Sequence, residues 1–251
     1  MRAKNLGKLS LLLLALSVLC GAPTALAATK SEDLISDTEL IDTPTAEVLD
    51  YYGLQVKTRF LRDGGVLAGL NFGVLNRLNL GASATVDKMI GTDDPMRLLR
   101  PEIQAKFRFY DGGKMLPAFS LGYDGQGYYY DTNQKKYYEK GRGLYVVGTK
   151  EILTPGLSLN PGINMSDFDN DDIFFFTGLS YNIENNFALM AEWDAIQRFN
   201  ESRLNLGARF YVTPFFQIDL AVREIGRNRT LDNGVQQRPE RIAQLRYTTS
   251  F

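Results

Sequence analysis

The chain of 251 residues contains no histidine. Hydrolases and acyltransferases that use histidine as base or acid cannot be built from it. Cysteine occurs once, at Cys20, inside the N-terminal stretch. Leu19 before it is bulky where lipid-anchored leaders carry a small residue, so Cys20 is expected to leave with the leader. What remains has no thiol nucleophile, thiolate metal site or disulfide. Apart from residues 9–19 no run is long and apolar, and that run falls short of the about 20 residues a membrane helix needs. A surplus of positive charge is missing too. Arg2, Lys4 and Lys8 take three of the 28 basic residues and none of the 29 acidic ones, so the rest is acidic on balance. Nucleic acid is therefore not an expected partner.

What is present begins with a leader. Arg2, Lys4 and Lys8 precede the apolar run, and Ala25-Leu26-Ala27 offers a small-x-small cleavage site, so residues 1–27 are predicted to be a secretory signal peptide. Residues 28–50 carry Glu32, Asp33, Asp37, Glu39, Asp42, Glu47 and Asp50 against the single Lys30. They are expected to form an acidic, weakly structured periplasmic segment.

From Tyr51 onward the chain alternates with period two. Leu54, Val56, Thr58 and Phe60 share one face, with Gln55, Lys57 and Arg59 on the other. The same holds for Ile103, Ala105, Phe107 and Phe109 against Glu102, Gln104, Lys106 and Arg108. Leu204, Leu206, Ala208 and Phe210 likewise oppose Arg203, Asn205, Gly207 and Arg209. This marks strands with one greasy and one wet face. The faces of 143–152 cannot be assigned this way. The connections alternate between short turns and longer polar loops, and aromatics gather near strand ends (Tyr51, Tyr52, Tyr128, Tyr129, Tyr130, Phe187), the pattern of outer-membrane barrels. Mean hydropathy is slightly negative, which a barrel tolerates because it hides its apolar residues in alternate positions.

The predicted fold is all-β: an antiparallel up-and-down transmembrane β-barrel of about twelve strands over 51–251. Leu54, Phe107, Leu206, Leu220 and Tyr247 should face lipid. Lys57, Arg59, Lys106, Arg108, Glu192, Asp194, Arg203, Arg209, Asp219, Arg223 and Arg246 should face the lumen. The last strand keeps the period through Leu245, Tyr247, Thr249 and Phe251, with Ile242 the one exception among its wet positions. It resembles the closing strand of bacterial outer-membrane barrels, whose terminal aromatic is read by the barrel assembly machinery. Sec export, an outer-membrane location, contact with lipid and lipopolysaccharide, and both termini in the periplasm follow from that reading.

Few residues carry a chemical signature. Glu192 and Asp194 share a strand face and could formally serve a paired-carboxylate enzyme. A structural network with Arg203, Arg209, Arg223 and Arg246 is the expected alternative, because buried charges must be paired. The aspartates of residues 167–172 could offer oxygen ligands to calcium, but no glycine stands at the sixth position and Gly178 replaces the closing glutamate. No metal or other cofactor is expected. Tyr128, Tyr129, Tyr130, Tyr137 and Tyr138, flanking Lys135 and Lys136, are expected to continue an interfacial girdle, with sugar stacking as the other use.

Several short runs carry a narrower resemblance: residues 43–49, 73–82, 117–123 and 145–150, then Ala191-Glu192-Trp193-Asp194 and Asn205. Together they resemble the barrel modules of YjbH-like outer-membrane proteins. That resemblance implies a non-enzymatic barrel supporting exopolysaccharide production or export, or envelope integrity, with surface polysaccharide as a partner. It implies no catalytic residues. A narrow porin-like channel with a charged lumen is the alternative, and a histidine-free carboxylate enzyme the third.

Overall fold

The computed structural model describes residues 36–91, 94–131, 134–166, 172–198, 202–227, 229–230 and 236–249. The predicted leader with Cys20, the aspartates at 167–171 and the terminal Phe251 lie outside them. Twelve long strands follow one another: β1 (Leu54–Phe60), β2 (Val66–Leu75), β3 (Leu78–Asp87), β4 (Glu102–Tyr110), β5 (Ala118–Asp124), β6 (Gly143–Glu151), β7 (Leu157–Met165), β8 (Ile173–Ile183), β9 (Phe187–Asp194), β10 (Arg203–Tyr211), β11 (Phe216–Ile225) and β12 (Glu240–Thr248). Each pairs antiparallel with its neighbours in sequence, and β12 pairs with β1. Val56 lies opposite Tyr247 and Arg59 opposite Gln244 in that closing ladder. Closure leaves none of the twelve as a free edge. Arg97–Leu98 adds two residues beside β3, and Tyr128–Asp131 pairs with Lys136–Glu139 in a hairpin within the β5–β6 loop.

The alternation in sequence becomes a division between outside and inside. Leu70, Leu80, Phe107, Leu206, Leu220 and Tyr247 are exposed on the outer face, and Leu54 lies at its margin. Gln55, Arg59, Asn79, Ser120, Asn160, Arg209 and Gln244 are buried on the inner one. A belt of exposed large apolar side chains running round the whole barrel is stable in lipid and not in water. The chain is an outer-membrane β-barrel. Short turns (residues 76–77 and 184–186) lie at the end where β1 begins and β12 finishes. Longer loops (residues 88–101 and 125–142) lie at the other.

The expected periplasmic lead-in at 28–50 does not describe residues 37–49. They fold back into the barrel as a narrow hairpin. Leu40 N–H donates to Thr43 O at 2.8 Å, Thr45 N–H to Thr38 O at 3.2 Å, and Glu39 bridges Pro44. Leu40, Ile41, Ala46 and Leu49 are all buried to 1% exposure or less. The wall is adapted to receive them. Leu40 and Ile41 pack on Met190, Ala221 and Ile242, so the apparent exception Ile242 is the inward residue that meets the hairpin. Ala46 packs with Ala118, Tyr145, Val147 and Phe176. This second cluster is why the faces of 143–152 resist assignment: β6 is apolar on both sides. Lumen-facing glycines clear further space. A Cβ on Gly178 would come within 2.7 Å of the Leu40 side chain, and one on Gly207 within 3.0 Å of Ile41.

The lipid-facing assignment has a direct test. Leu220, half-exposed near the middle of β11, replaced by Arg should lower stability by roughly 2–4 kcal/mol, the cost of a cation at mid-bilayer. Urea denaturation of the protein folded into vesicles measures it. A loss below about 0.5 kcal/mol would place Leu220 off the lipid face.

Candidate functional site

Four carboxylates of the hairpin meet cations of the wall. Asp37 lies 2.7 Å from Arg209 and accepts the Tyr211 hydroxyl at 2.7 Å. Glu39 takes Lys57 on both oxygens at 2.8 Å and Arg246 at 3.1 Å. Asp42 at the tip lies 2.6 Å from both Arg59 and Arg223. Glu47, where the chain leaves the hairpin, meets Arg108 at 2.7 Å. Lys106 donates to the backbone oxygens of Thr38 (2.5 Å) and Glu47 (3.0 Å). Burial alone would raise the Glu39 pKa, but Lys57, Arg246 and Arg59 outweigh it and hold it down to about 2. For Asp42 too burial opposes ionisation, and Arg223 and Arg59 outweigh it, holding its carboxyl well below the usual carboxylate range.

Glu192 plays the reverse part. Its carboxylate enters the hairpin's turn and accepts three successive backbone N–H groups: Ile41 at 2.8 Å, Asp42 at 2.8 Å and Thr43 at 2.7 Å. Asn205 Nδ2 adds a fourth donor at 2.8 Å. Consecutive amides around one anion form a nest, a strong recognition device away from water. Asp194 pairs with Arg142 at 2.9 Å and with Arg203 at 3.6 Å. Of the four arginines expected for this pair, Asp194 meets Arg203, and its nearer partner Arg142 was not among them. Glu192 instead takes backbone amides that strand alternation could not reveal.

The remaining lumenal charges interlock. Asp219 receives Arg209 at 2.7 Å and Arg246 at 3.5 Å, and Arg223 also pairs with Glu240 at 2.8 Å. Arg203 contacts Glu139 of the β5–β6 loop. A bulge between β10 and β11 lies opposite Asn205, whose Oδ1 accepts the Glu224 N–H at 2.9 Å. It buries the consecutive Arg223 and Glu224 together, which strict alternation forbids.

The tyrosines of the β5–β6 loop do not form the expected girdle. Tyr128 is covered by Arg223, whose guanidinium lies 3.9 Å from its ring, and its hydroxyl donates to Asp42 at 3.1 Å. Tyr129 donates to Glu224 at 2.9 Å under Arg62. The loop folds over the lumen mouth, where the carboxylates of Asp42 and Glu224 accept the tyrosine hydroxyls and Arg223 and Arg62 cover the rings. Tyr51 and Tyr52, at the opposite end, are exposed as a girdle requires. Two cavities of about 60 and 50 Å³ persist beside the hairpin. Each has room for a few waters and for no larger solute.

Asp37, Glu39, Asp42, Glu47 and Arg142 were not among the lumenal residues predicted from sequence, and Tyr128 was expected in a girdle or as a sugar-stacking ring. The carboxylates were visible as acidic composition. The signal that could have assigned them is apolar Leu40-Ile41 inside an acidic run, together with apolar residues at wet strand positions.

No family model matches the chain, and no curated protein does. Among solved structures, a KdgM porin is similar at 11% identity and a TM-score of 0.47, covering 79% of this chain and 99% of that one. The same porin was also solved with disordered oligogalacturonate. A NanC porin is similar at 10% identity and a TM-score of 0.45, covering 79% of this chain and 100% of the other. The Acinetobacter baumannii outer membrane protein Omp33 follows at 10% and 0.41, covering 82% and 100%.

The docking geometry carries two consequences. Glu192→Ala removes the anion from the three-amide nest and should weaken docking by about 2–3 kcal/mol, as for hydrogen bonds to a charged group. Faster hydrogen exchange at 41–43 with unchanged protection in β9 and β10 is the expected reading. Unchanged exchange at 41–43 would show that the nest holds nothing in place. In pH, the Glu39 contribution is present in full above the undocked value of 4.5 and is lost as pH falls towards about 2. The Glu39 share of hairpin protection, read as the difference between the unaltered chain and Glu39→Gln, should therefore be constant from pH 7 to about 5 and shrink below that, with Asp42 adding a further acid-side loss that the variant keeps.

Proposed function

We propose that the protein is a non-enzymatic, anion-selective diffusion channel of the outer membrane, closed in this state by its own N-terminal hairpin. The observation that carries the reading is the pairing of Asp37, Glu39, Asp42 and Glu47 with Arg209, Lys57, Arg246, Arg59, Arg223 and Arg108. With the hairpin withdrawn, these cations, Lys106, Arg142 and Arg203 line the pore among the described residues, nine against the seven carboxylates of Glu102, Asp124, Glu192, Asp194, Asp219, Glu224 and Glu240. Rings of Arg and Lys select anions in pores. Polar contacts between hairpin and wall suit reversible docking, since water can replace them as the hairpin leaves. Glu192 and Asp194 are both held in structural contacts, which leaves neither aimed at a substrate.

A closed barrel supporting surface polysaccharide or envelope integrity, as the YjbH-like resemblance implies, is the second reading. The complete burial of Leu40, Ile41 and Ala46 favours it, because such a filling costs apolar burial to remove.

Planar-bilayer recording separates the two. The protein cleaved after Ala27 should show rare or small current steps. Deletion of residues 37–47 should give stable, anion-selective steps, and Arg209→Glu in that background should shift the reversal potential towards cations. Silence from the hairpin-deleted barrel, shown to be folded by its altered gel mobility on boiling, would discard the channel and leave the closed barrel.

A further inference from the structure

Asp42 occupies a socket that the rest of the chain builds around its carboxylate. Arg59 Nη1 donates to one oxygen at 2.6 Å and the Tyr128 hydroxyl to the same oxygen at 3.1 Å. Arg223 Nε donates to the other at 2.6 Å, with Asn205 Nδ2 at 3.4 Å. The donors come from β1, β10, β11 and the β5–β6 loop, so none of them leaves when the hairpin leaves. Each arginine also has an anchor off the hairpin: Gln244 accepts Arg59 Nε at 2.8 Å, and Glu240 accepts Arg223 Nη1 at 2.8 Å. A set of donors held in place from behind remains a carboxylate receptor without its occupant.

A second cavity borders the socket on its loop side. Its volume is about 280 Å³, and its walls hold Tyr128, Tyr129, Tyr130 and Tyr137, the cations Arg62 and Lys88, and the carboxylates of Asp63, Asp87 and Glu240. Tyr128 lines both this cavity and the smaller lumenal one that contains Asp42. The larger space approaches the lower bound of small-molecule sites, and aromatic walls with a few placed polar groups are their usual lining.

We propose that this socket is a solute-binding site for the carboxylate of a small ring compound arriving from the loop side, and that Asp42 is a tethered competitor for it. The channel role of the site rests on the preceding reading; the binding itself does not. Asp42 presents its carboxylate at the high effective concentration of a tether. A solute is then bound with apparent affinity reduced by the fraction of time the socket is vacant.

The test is calorimetry of the folded protein in detergent with glucuronate, and with glucose as its uncharged counterpart. Asp42→Ala should bind glucuronate at least tenfold more tightly than the unaltered chain. Deletion of residues 37–47 should do the same, which covers a hairpin that sags into the emptied socket. Adding Arg223→Gln to either should abolish the gain, and glucose should bind to none of them. The proposal is overturned if both emptied variants, shown to be folded, bind no glucuronate, or if glucose binds equally. It is also overturned if Arg223→Gln leaves the affinity unchanged. Calorimetry reads no current, so its failure leaves a conducting hairpin-deleted barrel standing. A silent bilayer with intact binding would remove the channel reading alone.

Discussion

Charge inside a barrel must be answered by charge or by water, and here it is answered by the chain's own N-terminal segment. Arg209, Arg223 and Arg246 are buried to 1% exposure or less, in a wall that lipid surrounds. Isolated, each would carry a desolvation cost of several kcal/mol. Asp219 and Glu240 meet part of that demand from the wall, and Asp37, Glu39 and Asp42 meet the rest from the hairpin. Position, pairing and the filled state of the lumen all follow from this requirement.

Reciprocity sharpens the arrangement. The hairpin gives carboxylates to the wall's guanidinium groups, while the wall gives Glu192 to the hairpin's backbone amides. A tip whose three N–H groups turn inward would otherwise bury unsatisfied donors. Small and apolar residues at inner positions, Gly178, Gly207, Ala221 and Ile242, shape the bed on which Leu40 and Ile41 rest. Polar pairing chooses the register of docking, and apolar contact holds it.

The fold was legible because its signal is local. Period-two alternation depends on residues two apart, and the alternation of turn and loop lengths needs no knowledge of distant partners. Twelve strands and their outward faces at Phe107, Leu206 and Leu220 follow from that alone. The site was legible in half. The wall's charges could be read from the same alternation, but their partners could not. Glu192 with the amides of 41–43 and Asp42 with Arg223 are contacts 149 to 181 residues apart. No periodicity within 37–47 announces them.

Sequence by itself therefore determined the outside of this protein: a closed antiparallel barrel with an apolar belt and an inner row of cations. It did so because lipid imposes one rule on every strand and repeats it. Tertiary structure alone decided the inside. It turned an acidic run, which composition marks as unstructured, into a hairpin docked inside the barrel. It also folded Tyr128 over the mouth rather than into the membrane interface, and a bulge at Asn205 buried Arg223 and Glu224 side by side. The reason is that a lumen has no solvent of its own to impose a rule. What fills it is chosen by which distant groups can neutralise one another, and that choice exists only once the barrel has closed.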